Sequence, residues 1–422
     1  MGNGTSKNPR IVIVGGGFGG LVAAQSLKKA LADVTLVDRR NHHLFQPLLY
    51  QVATAGLSPA DIAAPIRAVL RNQKNVDVVM DEVIGVDPQN KLVSFAHRQL
   101  SYDYLILATG SSQSYFGHDD WMKHAPGLKS IRDATLLRER ILNAFEAAEI
   151  ETNLEKKKQL LTFVLVGAGP TGVEMAGSIA ELAYFALKND FRHIDPRFVR
   201  IVLIEASPRI LAGFHEDLAK KATKKLVSLG VEIQTGARVQ RLDVDYVYFS
   251  GKEVKASTII WCAGVQASLA GKWLGAEVDR AGRVLVKEDF SVTGHPEIFV
   301  IGDTASYMQD GKPLPGLAPV AMQEGRYVAG LIRRKIEGRG PSKPFRYVNK
   351  GNLATVGRSF AIAEFGNFRI SGFFAWIMWI VVHIYYLIDF RNRVLVMIQW
   401  AWAYITFQRG ARLITSEKIE IS

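Results

Sequence analysis

Apolar positions in this chain fall into short β-branched runs that alternate with helical stretches, the grammar of a parallel sheet with crossover helices. Arg10 to Val14 is the first run. It enters a glycine cluster, followed by a helical stretch over Leu21 to Ala30 and a second run over Val34 to Val37. Strand, glycines, helix and strand in that order make a βαβ unit. The same order returns about 150 residues later: Thr162 to Val166, glycines, a helix from Val173 to about Leu187, and Arg200 to Ile204. Between the copies, Asp133 to Glu151 reads as an amphipathic helix and Lys156-Lys157-Lys158 as a solvated linker. A further run, Glu297 to Ile301, ends at Gly302-Asp303. The character changes after about Phe345, and Phe373 to Phe407 is largely aromatic and aliphatic.

The 422 residues exceed one compact core and imply two or three domains. A hydrophobic fraction of 48% with 22% charged residues is ordinary globular composition. The net charge of +12 suits nucleic acid, an anionic membrane surface or anionic ligands such as dinucleotides. No basic block with interleaved aromatics appears, so nucleic acid is set aside. The single cysteine, Cys262, excludes an internal disulfide and any dithiol redox pair. Met1 to Arg10 has no apolar region of the kind a secretory signal needs. Met1-Gly2 with Ser6 fits a myristoylation pattern; a flexible polar leader accounts for the same residues.

The first glycine cluster carries G-x-G-x-x-G as Gly15, Gly17 and Gly20. Gly15 permits the turn out of the strand, Gly17 lets backbone approach a pyrophosphate, and Gly20 lets helix and strand pack closely. The helix N-terminus adds free N–H groups and a positive dipole end. Asp38, 18 residues beyond Gly20 at the end of the second run, is placed to accept from ribose hydroxyls. Gly167, Gly169 and Gly172 repeat the pattern, with Glu205 as the acid 33 residues past Gly172; the extra length sits in Lys188 to Arg197. Glu205 would accept from an adenosine 2′-hydroxyl and repel a 2′-phosphate, which predicts NADH over NADPH, with Arg209 nearby as the opposing feature. Glu174, early in the second helix, either compensates the helix dipole or lies near the nicotinamide. The sequence thus predicts an α/β fold with two Rossmann-like dinucleotide-binding domains. No His/Cys spacing suits a metal, and adjacent His42 and His43 suit a loop.

The two fingerprints, together with Leu107-Ala108-Thr109-Gly110 and Val300-Ile301-Gly302-Asp303, resemble the flavoproteins with two dinucleotide-binding domains. Asn41 to Pro59, Asp133 to Phe145 and the basic, aromatic C-terminus look like the type II NADH:quinone oxidoreductases. The resemblance implies that Gly15, Gly17, Gly20, Asp38 and Thr109 serve FAD. Gly302 and Asp303 would hold its ribitol side, and Gln46-Pro47 would lie beside the isoalloxazine. It implies NADH at Gly167, Gly169, Gly172 and Glu205, with Ala263-Gly264 lining the nicotinamide path and Glu174 close to both rings. Ala318 to Gly325 corresponds to the family's quinone-side motif, here with Pro319 where a glutamine is common, then Met322, Gln323 and Glu324. Glu174 and Gln323 are the implied catalytic groups. Independently of the resemblance, a helix near Pro319 is either an ordinary proline-initiated helix or one whose dipole stabilises charge on a reduced flavin.

The resemblance divides the chain into a FAD domain (1–135 and 285–345), an NADH domain (155–284) and a C-terminal anchoring or dimerisation segment (346–422). Phe373 to Ile388 would reach about 24 Å as a helix, short of a bilayer core of about 30 Å. Asp389 to Arg393 reads as a charged turn, and Val394 to Phe407 as a second apolar run followed by Arg409 and Arg412. Tryptophans and tyrosines beside arginines suit the headgroup boundary. A monotopic hairpin, a short tilted spanning helix and a dimer-interface helix all fit, and His383 reads as a packed histidine. The leading expectation is a homodimeric enzyme on the cytoplasmic face of the inner membrane. It would pass a hydride from NADH to FAD and two electrons to a membrane quinone, without proton pumping, against an anionic lipid surface. A soluble NAD(P)H:acceptor reductase or oxidase and a flavin redox-sensing binding protein are the alternatives.

Overall fold

A computed structural model describes residues 8–187, 190–340, 342–388, 390–406 and 409–414. The Met1-Gly2 and Ser6 leader pattern lies outside the described residues, as do Lys188, Asn189, Asp389 and Phe407. The chain forms two compact units: residues 1–44, 63–112 and 265–349 in the first, and 45–62, 113–264 and 350–422 in the second.

The first unit is built on a six-stranded sheet. Its order is Ser291–Val292, His295–Val300, Tyr104–Leu107, Arg10–Val14, Asp33–Asp38 and Val76–Met80. All neighbours are parallel except the first pair. Ile11, Ile13, Leu36, Leu105 and Ile106 are fully buried, as a sheet covered on both faces requires. Helix Phe18–Ser26 lies against helix Ala318–Ile336, and the two meet at glycine. A β-carbon at Gly325 would stand 2.3 Å from the Gly19 carbonyl oxygen. A small antiparallel sheet, Gly85–Asp87, Leu92–Ser94 and Gln99–Ser101, completes this unit's main architecture.

The second unit has a four-stranded parallel sheet in the order Val231–Gln234, Arg200–Ile204, Thr162–Val166 and Thr258–Trp261. All five side chains of Thr162–Val166 are buried. Helix Pro170–Glu181 runs on into a π-helical turn, Leu182–Ala186, so the stretch expected as one helix changes pitch before it ends. The lysine run is not a linker: it lies in helix Leu154–Leu160, capped by the Asn153 side chain on Lys156 N–H. The long helix Ile131–Ile150 starts with a reciprocal capping box between Ser130 and Asp133. Two antiparallel meanders follow, Val239–Leu242 to Lys252–Lys255 and Asn352–Thr355 to Phe368–Gly372.

The C-terminal apolar sequence forms helices Phe373–Tyr386 and Phe390–Thr406. The second starts earlier than its apolar run, so Asn392 and Arg393 lie in a helix and not in a turn. No helix among the described residues is long and apolar enough to cross a membrane, so the spanning alternative at Phe373 to Ile388 is not realised. Phe374, Val381, Tyr385, Ile398, Trp402 and Ile405 are exposed along the pair.

The glycine contact in the first unit carries a stability prediction. Gly325→Ala forces a methyl into the Gly19 carbonyl and is expected to cost about 1–3 kcal/mol, read as a lowered melting temperature. An unchanged melt would show that the two helices separate freely.

Candidate functional site

In the first unit, strand Arg10–Val14 ends in a turn that only glycine can make. Gly15 has φ +107°, and its N–H donates to Val37 O at 2.7 Å. A β-carbon on Gly20 would lie 1.9 Å from the Gly15 carbonyl oxygen. Asp38, at the end of the neighbouring strand, accepts from Gly16 N–H at 2.6 Å and from Arg40 N–H at 2.7 Å. Its carboxylate therefore fixes the turn. Gly17 begins helix Phe18–Ser26 without a side-chain cap, and a β-carbon there would meet nothing within 4 Å. An open, N–H-lined helix start fits a phosphate group. His42 and His43 serve different partners, Asn41 Oδ1 and Gly16 O, each at 2.9 Å.

The neighbouring strand ends converge in the same unit. Thr109 Oγ1 lies 2.5 Å from Ser268 Oγ and 3.2 Å from Thr304 Oγ1. Asp303 accepts from the Ser111 hydroxyl at 2.7 Å. Gly302 N–H donates to Glu324 Oε2 at 2.6 Å. Glu324 is 2% exposed, and burial pushes its carboxyl up to about 8 against the bond from Gly302. It is thus an internal brace of the Gly302-Asp303 turn. Pro319 occupies the first turn of helix Ala318–Ile336, and Met322 is half-buried on the same helix. The Gln323 amide closes a two-bond ring with the backbone of Val348, both bonds 3.0 Å.

The second unit repeats the glycine geometry almost atom for atom. Gly167 has φ +101°, and its N–H donates to Ile204 O at 2.7 Å. A β-carbon on Gly172 would again lie 1.9 Å from the Gly167 oxygen. Glu205 accepts from Ala168 N–H and Ser207 N–H, both at 2.7 Å. Gly169 starts helix Pro170–Glu181 with open space around its α-carbon. Ala263 packs against Gly167, and Gly264 follows it. Arg209 donates to the Leu211, Ala212 and Phe214 carbonyls. The opposing cation is therefore engaged in its own loop.

Glu174 lies within that helix at 9% exposure, with Thr355 N–H at 3.5 Å. Burial pushes its carboxyl up to about 8. Tyr50 is also buried, and burial followed by the Glu174 charge raises its hydroxyl well above the usual range. Gln51 links this tyrosine to the C-terminal helices: its amide donates to Tyr50 Oη at 3.0 Å and accepts from Trp400 Nε1 at 2.7 Å. Gln46 lies in the short 3₁₀ turn Gln46–Leu48 of the same unit. Burial lowers His383 to about 4; its Nδ1 lies 2.7 Å from Trp379 O and its ring stacks on Trp379. It is a packed histidine.

Each unit therefore gathers its own glycine turn and acid. The first also gathers Thr109, Gly302, Asp303 and Glu324; the second holds Glu174, Ala263 and Gly264, with Gln46 in a separate short turn of the same unit. One cluster was not foreseen. Arg409 donates to Thr54 O at 2.6 Å and Ser178 O at 3.1 Å, and pairs with Glu181 at 3.5 Å. Glu181 also accepts from Arg358 N–H. Arg412 pairs with Asp190 and donates to Ala186 O at 3.3 Å. The two arginines expected at a headgroup boundary instead fasten the C-terminal segment to helix Pro170–Glu181 and its π turn. No local pattern announces these partners, which lie more than two hundred residues away in sequence.

Comparison with known proteins matches residues 9–325 to the family described as pyridine nucleotide-disulphide oxidoreductase, and residues 349–409 to the NDH2 C-terminal domain. The chain is 45% identical to the type II NADH:quinone oxidoreductase Ndh of Mycobacterium tuberculosis, over 98% of this chain and 91% of that one. It is 30% identical to the type II NADH:quinone oxidoreductase of Staphylococcus haemolyticus, over 82% and 87% of the two chains. In three dimensions it is similar to NDH2 from Plasmodium falciparum in complex with NADH. That match has a TM-score of 0.88 and 21% identity, covering 97% of this chain and 100% of that one.

The buried Glu174 predicts a pH dependence. The folded protein keeps a proton up to about pH 8, whereas the unfolded chain releases it near 4.5. This residue therefore costs stability progressively as pH rises between those values, and by a constant amount above them. Glu174→Gln retains an acceptor for Thr355 and removes the titration. Its melting temperature relative to wild type should climb through that window and then level. A difference that stays flat from pH 5 to 9 would contradict the buried proton.

Proposed function

We propose a course for two electrons in this chain, which belongs to the family of type II NADH:quinone oxidoreductases: from NADH, through a bound FAD, to a membrane quinone, without proton pumping. The observation that carries the reading is the duplicated turn, one copy in each unit, each with an open helix start and a carboxylate clamped to it. Two phosphate-cradling turns in one chain suit two dinucleotides. We assign FAD to the first unit and NADH to the second.

In the first unit, Gly15, Gly17 and Gly20 would take the FAD pyrophosphate and Asp38 the adenosine ribose. Thr109, Gly302 and Asp303 would meet the ribitol and flavin end. Glu324 holds the Gly302 turn at its backbone N–H, and so acts on the flavin through that turn. When bound, FAD supplies a ring nitrogen that accepts hydride and a route for two electrons to quinone. The chain contributes orientation, exclusion of water and the charge around the rings.

In the second unit, Gly167, Gly169 and Gly172 would take the NADH pyrophosphate. Glu205 would accept from the adenosine 2′-hydroxyl and repel a 2′-phosphate, favouring NADH. Ala263 and Gly264 would line the nicotinamide path. Glu174, protonated at neutral pH, offers a neutral donor beside the nicotinamide instead of a second negative charge. Gln46 would stand beside the flavin ring. Pro319, Met322, Gln323 and Glu324 form the helix we assign to the quinone side; there Gln323 orders the Val348 backbone and Glu324 the Gly302 turn, so both act as positioning groups.

The exposed apolar row on the two C-terminal helices supports peripheral contact with an anionic lipid surface. We place the enzyme on the cytoplasmic face of the inner membrane, the side that supplies NADH.

Anaerobic addition of NADH to the purified protein should bleach its flavin absorbance, and a short-chain quinone should restore it faster than oxygen does. Reoxidation by oxygen alone would overturn the quinone assignment. A protein that NADH does not bleach would overturn the nicotinamide assignment.

A further inference from the structure

The turn Tyr115 to His118 displays an aromatic ring at two separate costs. Phe116 has φ +54° and Gly117 has φ +91°, with His118 N–H donating to Tyr115 O at 3.1 Å. Such a turn favours asparagine or glycine at its first central position, and phenylalanine is strained there. Phe116 is also 68% exposed. The turn itself is firmly held. Tyr115 is buried and its hydroxyl donates to Ala125 O at 2.8 Å; Trp261 Nε1 donates to Ser114 O at 2.9 Å; Ser114 N–H donates to Gly264 O at 3.3 Å. A strained, exposed apolar ring on a fixed support points to a ligand-facing role.

Its position identifies the ligand. In the second unit's sheet, Thr162–Val166 lies between Arg200–Ile204, which ends at Glu205, and Thr258–Trp261, which leads to Ala263 and Gly264. The second glycine turn sits against Ala263, and the Phe116 ring sits against Gly264: a β-carbon on Gly264 would lie 2.5 Å from the ring edge. A dinucleotide lying across the strand ends, with its adenosine ribose at Glu205 and its phosphates at Gly167, brings its other half to Gly264 and Phe116.

We propose that Phe116 is a specificity-determining wall for the nicotinamide riboside half of the dinucleotide. The inference rests on NADH occupying the second glycine turn. Its flat apolar face would stack on the nicotinamide ring, limiting the positions from which the hydride can leave.

The test uses full-length, flavin-loaded protein and two ligands, NAD⁺ and ADP-ribose, which lacks the nicotinamide. Phe116→Ala should weaken equilibrium binding of NAD⁺ by about three- to tenfold and leave ADP-ribose affinity unchanged. KM for NADH should rise in parallel, and Phe116→Tyr should retain most of the wild-type affinity. A structural role would instead weaken both ligands together and lower the melting temperature; that outcome, or no change for either ligand, overturns the proposal. Wild-type protein that binds neither ligand would instead refute NADH at the second turn.

Discussion

At two places in this molecule a helix begins so close to the strand before it that no β-carbon fits between them. The Gly20–Gly15 and Gly172–Gly167 approaches share the same clearance, and in each the first glycine takes a positive φ and bonds the adjacent strand. Close approach brings the helix N-terminus, the positive end of its dipole, to the carboxyl end of the sheet. The adjacent strand then delivers a carboxylate to the same turn, Asp38 in one unit and Glu205 in the other. Each acid thereby fixes the backbone of its glycine turn.

Around these turns the chain buries carboxylic acids whose protons suit their surroundings. Glu324 and Glu174 are both pushed up to about 8 by burial, and each accepts one backbone N–H. A neutral acid can brace a backbone turn without placing an unpaired charge in the interior. Glu181 is treated differently: burial raises it, but the Arg409 guanidinium opposes that rise. The pairing ties Arg409 to the helix that starts at the second glycine turn, while Trp400 reaches Gln51 from the same C-terminal segment. Seating of that segment and the surroundings of Tyr50 are therefore physically joined.

Much of this was legible because the turns depend on local chemistry. Strand Thr162–Val166, the glycine spacings and the acids at strand ends follow from residue type and short-range order. Helix Ile131–Ile150 was legible from its amphipathic repeat. One misreading is local and the others have a cause in long-range contact. The lysine run folds as a helix because Asn153 caps it and Leu160 is buried. The meander Asn352–Thr355, Ala361–Phe365 and Phe368–Gly372 was hidden inside a stretch marked only by a change in character. Arg409 reads as a surface cation by composition, and only tertiary packing supplies Thr54, Ser178 and Glu181 as its partners. Phe116 escaped notice because neither its backbone strain nor its neighbour Gly264 is visible in a local pattern.

If the two turns are independent cradles for unlike coenzymes, breaking one should leave the other's ligand in place. The direct measurement is flavin content and NAD⁺ affinity of purified Gly172→Ala protein. Independence of the two turns predicts a protein that keeps its yellow colour and loses NAD⁺ binding. Loss of flavin with NAD⁺ affinity undiminished, or no change in either, would contradict it.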